Sequence, residues 1–216
     1  MNRKGLSINS FDETTFIQHC NILAKRDKHL KHIIDTYSYP PVWKRKQSFE
    51  TLIHIILEQQ VSLASAKAAL NKLKEKIGTV TPKKVLSLTD EELKACYFSR
   101  QKTVYARQLA EAILNKQLNL KKLSFSPDDV IRTELKKIKG IGDWTVDVYL
   151  MMVLQRTDLF PLGDIALVNS LKEAKNLHKQ ITKEELLIIA DKWKPYRTVA
   201  AFILWHSYLC KRKRNY

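Results

Sequence analysis

The chain has 216 residues, 44% of them hydrophobic, which is enough to bury a core and excludes a disordered basic tail. Its 38 Lys and Arg residues outnumber 22 Asp and Glu residues, and the net charge of +16 makes a polyanion the first candidate partner, although a solvated lysine-rich surface has the same composition. Only three cysteines are present, far apart in the chain, and this number excludes a four-cysteine iron–sulfur cluster.

The predicted elements are all helical. The segment from Phe49 to Gly78 is apolar at helical spacing and ends in a glycine suited to a C-cap. The apolar run from Trp144 to Gln155 is rich in β-branched residues, but its length favours a buried helix, and no strand-like alternation is sustained. Cap-like residues predict further helix starts at Thr81–Pro82, Thr89–Glu92, Ser126–Asp129, Thr182–Glu185 and Pro195.

Two of the five glycines, Gly140 and Gly142, lie one residue apart between two helical segments. Glycines suit a short connection with positive φ and a close approach of the backbone to another group. The second helix is expected to begin near Asp143 or Trp144, and its first amides can bind an anion such as phosphate. From these residues alone, a plain helical hairpin and a phosphate-binding hairpin are equally good interpretations, and the charge favours phosphate.

A family resemblance follows from this stretch and from other motifs. The spacing Leu135-x-x-Ile138-x-Gly140-Ile141-Gly142-x-Trp144-Thr145 resembles the helix-hairpin-helix of the HhH-GPD DNA glycosylase superfamily. The segment "DLFPLGD", which ends at Asp164, is similar to that superfamily's Gly/Pro-rich loop and aspartate. The segments "LIHIILEQQVSLASAKAAL", "FSRQKTVYARQLAEAI" and "WKPYRTVAAFILW" are similar to its 3-methyladenine DNA glycosylase II branch, and the set covers most of residues 40–208.

The resemblance implies an all-α, two-lobed glycosylase fold with the active-site cleft between the lobes. Residues 1–216 are expected to form one glycosylase unit. One lobe would span residues 48–150 and contain the helix-hairpin-helix at about 134–150. The other would combine residues 1–47 with 151–216. The chain departs from the family pattern at Lys139, where proline is frequent, and at Tyr97, where the branch often has glycine.

The resemblance implies that Asp164 is the catalytic residue. Glycoside hydrolysis passes through a sugar cation and usually needs two carboxylates, one of them an acid for the leaving group. An alkylated purine already carries a positive charge and leaves without an acid. One carboxylate that stabilises the sugar cation is therefore adequate for such a substrate. Without the resemblance, an aspartate before a helix would be interpreted as an N-cap, and the two roles are compatible.

Trp144 occupies the position at which strand-cutting members of the superfamily carry a Schiff-base lysine. The resemblance therefore implies a monofunctional enzyme without lyase activity. A tryptophan here can stack on a cationic base, or it can close the hairpin as a core residue, and the sequence favours neither.

The damaged base must leave the duplex, so a wedge residue must fill the gap. The resemblance assigns this role to Gln60, whereas the alternative is that the two glutamines end a buried helix. Trp43, Tyr39 and Tyr37 are candidates for the base pocket with Trp144, although packing of at least one of them into the core is equally expected. The expected DNA-binding residues are Gln59, Gln60, Lys139, Gly140, Ile141, Gly142 and Thr145.

No cofactor is expected beyond a structural Na⁺ or K⁺ at the hairpin. The resemblance implies that this ion is held by the backbone carbonyls of Lys136, Ile138 and Ile141. The expected partner is double-stranded DNA with damaged bases, bound by a monomer and not by a membrane protein. Because no apolar segment begins the chain, we expect no signal peptide and a location with the DNA, in the bacterial cytoplasm or the eukaryotic nucleus.

The sequence thus predicts a DNA glycosylase that hydrolyses the N-glycosidic bond of alkylated purines, such as 3-methyladenine and 7-methylguanine, in base excision repair. Two alternatives remain open. One is a non-catalytic helix-hairpin-helix DNA-binding protein. The other is a glycosylase for deaminated, mismatched or oxidised bases, whose neutral leaving groups need more acid assistance.

Overall fold

The computed structural model describes residues 10–213, so the signal-peptide prediction rests mostly on residues outside the described range. The described residues form helices and one isolated β-bridge between Ser10 and Arg156, which confirms the all-α prediction. None of these helices has both the length and the apolar character needed to span a membrane. The helices are Glu13–Arg26 (α1), Lys28–Tyr37 (α2), Phe49–Glu58 (α3), Leu63–Ile77 (α4), Pro82–Leu86 (α5), Asp90–Ala95 (α6), Arg100–Leu114 (α7), Leu120–Leu123 (α8), Asp128–Lys136 (α9), Asp143–Met152 (α10), Ile165–Lys175 (α11), Lys183–Asp191 (α12) and Arg197–Lys211 (α13).

Three of the predicted helix starts are confirmed by side-chain caps. The hydroxyl of Thr89 accepts from the amide of Glu92, whose carboxylate accepts from the Thr89 amide, and the box at Thr182 is built in the same way. Thr81 caps the short helix that begins at Pro82. These bonds satisfy amides that a helix start otherwise leaves unpaired.

Two predicted starts are displaced by one or two residues. Helix α9 has Pro127 at its N-cap position and no side-chain capping bond, because proline has no side-chain acceptor; the Pro127 carbonyl accepts the first helical bond, from Ile131. Ser126 therefore lies one residue before the cap position. Helix α13 begins at Arg197, and Pro195 belongs to the preceding turn, in which the Tyr196 amide donates to the Trp193 carbonyl.

The segment from Phe49 to Gly78 forms two helices, α3 and α4. Helix α3 ends before Gln59, whose ψ of 123° is not helical, and Gln60 follows with a left-handed φ of 58°. Ser62 then caps α4 by accepting from the Ser65 amide. The predicted C-cap is confirmed, since Gly78 has a φ of 67° and its amide donates to the Lys74 carbonyl.

The chain divides into two compact units. One is Arg45–Tyr149, compared with the predicted lobe of residues 48–150. The other combines the described residues up to Lys44 with those from Leu150 onward. Tyr149 lies within α10, so the boundary falls inside a helix and not in a linker.

In the unit Arg45–Tyr149, the central helix is α3, which packs against α4 and α7. Eight of its ten residues are buried, so it is covered on nearly all sides. Its carboxyl end leads through Gln59 to Gln60, so this close-packed helix positions the predicted DNA-binding residues that follow it.

In the other unit, α13 packs against α1, α2 and α11. An unbroken run of α13 from Thr198 to Trp205 is buried, which is typical of a helix surrounded by other elements. Its aromatic residues join a cluster of rings whose centroids lie 5.1–6.3 Å apart. The members are Phe11, Phe16, Trp43, Phe202 and Trp205.

Candidate active site and nucleic-acid interface

The turn between α9 and α10 requires glycine at only one of its two glycine positions. Gly140 has a φ of 91°, and a Cβ there would collide with the ring of Tyr105 on α7. Gly142 does not adopt a positive φ, and a Cβ there would meet no atom within 4 Å. The expectation of positive φ is therefore confirmed for Gly140 and wrong for Gly142, whose place above open space leaves room for an external group.

The second helix of the hairpin begins where it was predicted, at Asp143. The carbonyl of Gly142 accepts from the amide of Val146, so the glycine is the residue from which the helix starts. Ile141 is buried and its amide donates to the Ile138 carbonyl, which closes the turn. The first amides of α10 have no intrahelical acceptors, and amides at such a position can donate to an anion.

An acidic residue at this helix start would oppose phosphate, but its charge is offset. Lys136 donates to both carboxylate oxygens of Asp143 at 2.9 Å, and Arg132 donates to Asp143 at 3.0 Å and to Asp147 at 2.5 Å. The hydrogen bond from Lys136 is the main reason why the pKa of Asp143 is lowered. The sequence indicated Lys136, which lies close to the glycines in the chain, but missed Arg132, which bonds to Asp143 from 11 residues away.

Of the lysines around the turn, Lys139 has no charged partner among the described residues, and it is exposed. Lys137 instead donates to Glu134 at 2.6 Å, three residues earlier on the chain. Lys139 is therefore the lysine of this group whose charge is available to a phosphate.

The amide of Gln59 lies against the hairpin. Its Nε2 donates to the Gly140 carbonyl at 2.8 Å and to the Thr145 hydroxyl at 2.9 Å. Thr145 is only 1% exposed, so its side chain offers no surface to DNA. The structure thus brings together three residues that were predicted separately for the interface, with Gln59 and Thr145 facing each other.

Gln60, the predicted wedge, is exposed at the point where the chain turns out of α3. Its left-handed backbone is uncommon for a residue other than glycine, and such positions are costly unless the surroundings hold them. Here the end of α3 holds the position, because Glu58 and Leu57 are themselves fixed by hydrogen bonds. Arg45 donates to both oxygens of the buried Glu58 carboxylate, at 2.6 and 2.9 Å, and Lys102 donates to the Leu57 carbonyl at 2.7 Å.

Trp144 is half-buried in the first turn of α10. This intermediate exposure leaves both interpretations open, stacking on a base and closing the hairpin. The resemblance expects a Schiff-base lysine at this position in strand-cutting members, and an indole nitrogen is not a nucleophile of that kind.

Asp164 is the N-cap of α11, as the alternative interpretation expected. Its Oδ1 accepts from the Leu167 amide at 2.8 Å and from the Trp205 indole at 3.1 Å. These two bonds hold the carboxyl group in one orientation. Sequence reasoning missed Trp205, although it closes the segment "WKPYRTVAAFILW", because a contact across 41 residues has no local signal.

The candidate pocket aromatics have different environments. Trp43 is 8% exposed and packs edge-on against Phe202 and Trp205, so it belongs mainly to the aromatic core next to Asp164's partner. Tyr39 is 40% exposed, and its hydroxyl donates to Asn21 at 2.6 Å. Tyr37 is half-buried, and its carbonyl accepts from His206. The core interpretation therefore applies to Trp43, whereas Tyr39 retains an accessible ring.

Tyr97 stands where the 3-methyladenine DNA glycosylase II branch often has glycine. Its φ is 64°, a left-handed conformation in which glycine has no penalty, and its side chain is 62% exposed. The chain therefore holds a bulky aromatic residue in a strained conformation at the surface of the unit Arg45–Tyr149.

The three carbonyls expected to hold a monovalent cation belong to the end of α9 and to the turn that follows it. Lys136 is the last residue of α9, and Ile138 and Ile141 lie in the turn outside both helices. The Ile138 carbonyl accepts one bond, from the Ile141 amide, and a carbonyl oxygen has a second lone pair. Oxygen ligands of this kind fit Na⁺ or K⁺.

The family described as HhH-GPD superfamily base excision DNA repair protein matches residues 53–195. An alkylbase DNA glycosidase-like protein of Schizosaccharomyces pombe is 33% identical over 170 residues, which cover 76% of this chain and 80% of that protein. DNA-3-methyladenine glycosylase 1 of the same organism is 30% identical over 194 residues, covering 88% and 85% of the two chains.

Among solved structures, the chain is similar to a 3-methyladenine DNA glycosylase of Schizosaccharomyces pombe in complex with abasic DNA. The TM-score is 0.80 at 27% identity, and the match covers 87% of this chain and 95% of that one. A DNA-3-methyladenine glycosidase from Bacillus halodurans matches with a TM-score of 0.72 at 26% identity, over 90% of this chain and 91% of that one.

Proposed function

The chain belongs to the HhH-GPD superfamily of base excision DNA repair proteins, and from this premise we propose that it is a DNA glycosylase that removes alkylated purines and leaves an abasic site. The relatives named as 3-methyladenine glycosylases support this substrate class. The observation that carries the proposal is the carboxylate of Asp164, held at the start of α11 by the Leu167 amide and the Trp205 indole.

The proposed reaction breaks the bond between C1′ of deoxyribose and the purine nitrogen. A purine alkylated at N3 or N7 is cationic, and it leaves with the bonding electrons as a neutral base. The sugar becomes an oxocarbenium-like cation, to which water adds with loss of a proton. The carboxylate of Asp164 stabilises that cation electrostatically, and this is the step in which a fixed anion has most effect.

A further part of the proposal is that base release is not followed by strand cleavage. Trp144 stands where the resemblance expects the Schiff-base lysine of strand-cutting members, so no amine is present at that position to attack the sugar. The product is then an intact strand with an abasic site, as expected of an enzyme like 3-methyladenine DNA glycosylase II.

The hairpin is proposed to bind a DNA phosphate through the first amides of α10, with Lys139 adding charge. The carbonyls of Lys136, Ile138 and Ile141 would hold a Na⁺ or K⁺ ion that adds positive charge for the phosphate. The working form would be a monomer on double-stranded DNA. It would act where the DNA lies, in the bacterial nucleoid or the eukaryotic nucleus.

The test is base release from duplexes carrying one defined lesion, comparing wild type with Asp164→Asn. Wild type is expected to release 7-methylguanine, and the variant to be slower by about 100-fold or more, because the neutral amide cannot stabilise the sugar cation. Asparagine keeps an oxygen that can accept from Leu167 and Trp205, so melting temperature and DNA affinity serve as controls for folding.

A panel of lesions extends the test. Release of neutral deaminated or oxidised bases without release of cationic ones would overturn the substrate class. If wild type and Asp164→Asn both bind DNA and neither releases any base, the chain is a DNA-binding protein without this activity. The appearance of cut strands before alkaline treatment would contradict the absence of lyase activity.

A further inference from the structure

The QQVS turn, defined as Gln59–Ser62, leaves α3 at a point that three side chains hold. Arg45 pairs with the buried Glu58, and Lys102 donates to the Leu57 carbonyl. Both contacts act on residues of α3 itself and so fix the point from which the turn departs. Neither of them determines where the turn lies relative to the hairpin.

The side chain of Gln59 connects the QQVS turn to the hairpin. One NH₂ group donates to two acceptors that belong to the hairpin: the Gly140 carbonyl in the turn at 2.8 Å, and the Thr145 hydroxyl in the first turns of α10 at 2.9 Å. Gly140 and Gln59 are 81 residues apart in the chain, so this is a connection between separate elements. A carbonyl oxygen can only accept, so the position requires a donor and not merely a polar group.

The next residue, Gln60, differs from Gln59 in where its side chain lies. It is exposed, and its side chain makes no hydrogen bond within the described residues. Two adjacent glutamines are thus divided between an inward bond to the hairpin and an outward side chain. A shift of Gln59 would necessarily move Gln60, because consecutive Cα atoms are joined at a fixed distance of about 3.8 Å.

We propose that Gln59 is a positioning residue, whose amide holds the QQVS turn at a fixed offset from the phosphate-binding hairpin. This inference rests on the proposed function, in which the hairpin binds a phosphate and Gln60 fills the gap left by the base. With the offset fixed, a phosphate bound at the hairpin places Gln60 at one base step of the duplex. Without it, the phosphate is still bound but insertion loses its register.

The prediction is that loss of the Gln59 bonds lowers discrimination and not general affinity. The readout is the ratio of dissociation constants for two duplexes of one sequence, one undamaged and one with a tetrahydrofuran abasic analogue. Wild type should prefer the analogue, since the gap is already open. Loss of two neutral hydrogen bonds should lower this preference about tenfold, with affinity for undamaged DNA changed less than about twofold.

Two variants test the donor. Gln59→Leu removes both bonds, and Gln59→Glu keeps the shape but places carboxylate oxygens against the Gly140 carbonyl. Gln47→Leu is the matched control, because Gln47 also donates from a side-chain amide to a backbone carbonyl in this unit, that of Leu120 at 2.5 Å. All three should fold, as melting temperature will show, but only the Gln59 variants should lose the preference.

Thr145→Val supplies an independent arm, since it removes one acceptor while keeping the shape. Combined with Gln59→Leu, it should add less than its separate effect, because both changes break the same bond. An unchanged ratio in Gln59→Leu and Gln59→Glu would overturn the inference, as would an equal loss in Gln47→Leu or a wild type that does not prefer the analogue. A wild type that prefers the analogue but releases no base would refute the proposed activity and leave the positioning role standing.

Discussion

At the scale of single residues, two aspartates that occupy the same local position have different surroundings. Asp27 and Asp164 are both N-caps, of α2 and α11. Asp27 caps with Oδ1 and uses Oδ2 to accept from Lys175 at 2.6 Å and from the Trp193 indole at 2.9 Å. Oδ1 of Asp164 accepts from an amide and from an indole, and neither of these donors is charged. Capping therefore does not decide what else an aspartate does.

Asp27 supports a stability prediction. Its ion pair with Lys175 has side-chain exposures of only 11% and 16%, so removal of the carboxylate leaves a nearly buried ammonium without its partner. Asp27→Ala should lower the free energy of unfolding by about 3 kcal/mol, measured by urea denaturation. Asp191→Ala breaks exposed pairs with Lys194 and Arg197 and should change stability little. Equal losses in the two variants would contradict the buried pair as the cause.

The pH dependence of the same contribution has a definite sign. Burial raises the pKa of Asp27, but the hydrogen bonds from Lys175 and Trp193 outweigh burial, so the folded-state pKa is lowered below 3.8. The contribution of Asp27 to the free energy of unfolding is therefore complete above the unfolded-state pKa of about 4. It is lost as the pH falls through the folded-state pKa. The difference in stability between wild type and Asp27→Ala should narrow below that pH.

At the scale of elements, the hairpin contains two glycines that look equivalent in the sequence but have different roles in the fold. Gly140 is required by the fold, through its φ of 91° and the nearby Tyr105 ring. Gly142 is not required by any neighbouring protein atom. Its remaining reason is the close approach of something outside the chain, and a phosphate at the start of α10 is the group that the proposed function supplies.

These two glycines make a matched pair of variants. Gly140→Ala should lower the free energy of unfolding by about 2–3 kcal/mol, because alanine is strained at positive φ and its methyl group overlaps Tyr105. Gly142→Ala should change stability by less than about 1 kcal/mol and yet weaken DNA binding. Thermal unfolding measures the change in stability of both variants, and a binding titration measures the change in their affinity for DNA. Unchanged affinity in Gly142→Ala would contradict a phosphate at this position.

At the scale of the whole molecule, the net charge of +16 is the dominant property. Many cations are already engaged, as Lys136 and Lys137 are with Asp143 and Glu134. Those without carboxylate partners, such as Lys139, remain to attract a polyanion. Binding to DNA should therefore weaken steeply with salt, because each phosphate contact releases condensed counterions.

The salt dependence can be assigned to a residue. A plot of log affinity against log salt concentration should have a slope steeper than about −3, and Lys139→Gln should reduce its magnitude by about 1. Lys137→Gln is the control of equal charge change, and its effect should be smaller because Glu134 already neutralises that lysine. A flat salt response of the wild type would argue against phosphate-dominated contact.

Local features could be predicted from the sequence because they act within one helical turn. The boxes at Thr89 and Thr182 each join residues three apart, and the start of α10 at Asp143 follows directly after its glycines. The motifs that carry the family resemblance are likewise contiguous. The errors at Ser126 and Pro195 are shifts of one or two residues, where proline allowed more than one start.

The sequence by itself determined the helical class, most helix starts, the family and the candidate catalytic aspartate. Only the tertiary structure decided which neighbours those residues have: Trp205 bonds to Asp164 across 41 residues, and Gln59 bonds to Gly140 across 81. Such bonds depend on the path of the whole chain and leave no periodicity or spacing in the sequence. The physical reason is that caps and turns are settled by local dihedral angles, whereas partners from distant segments are settled by the packing of complete helices.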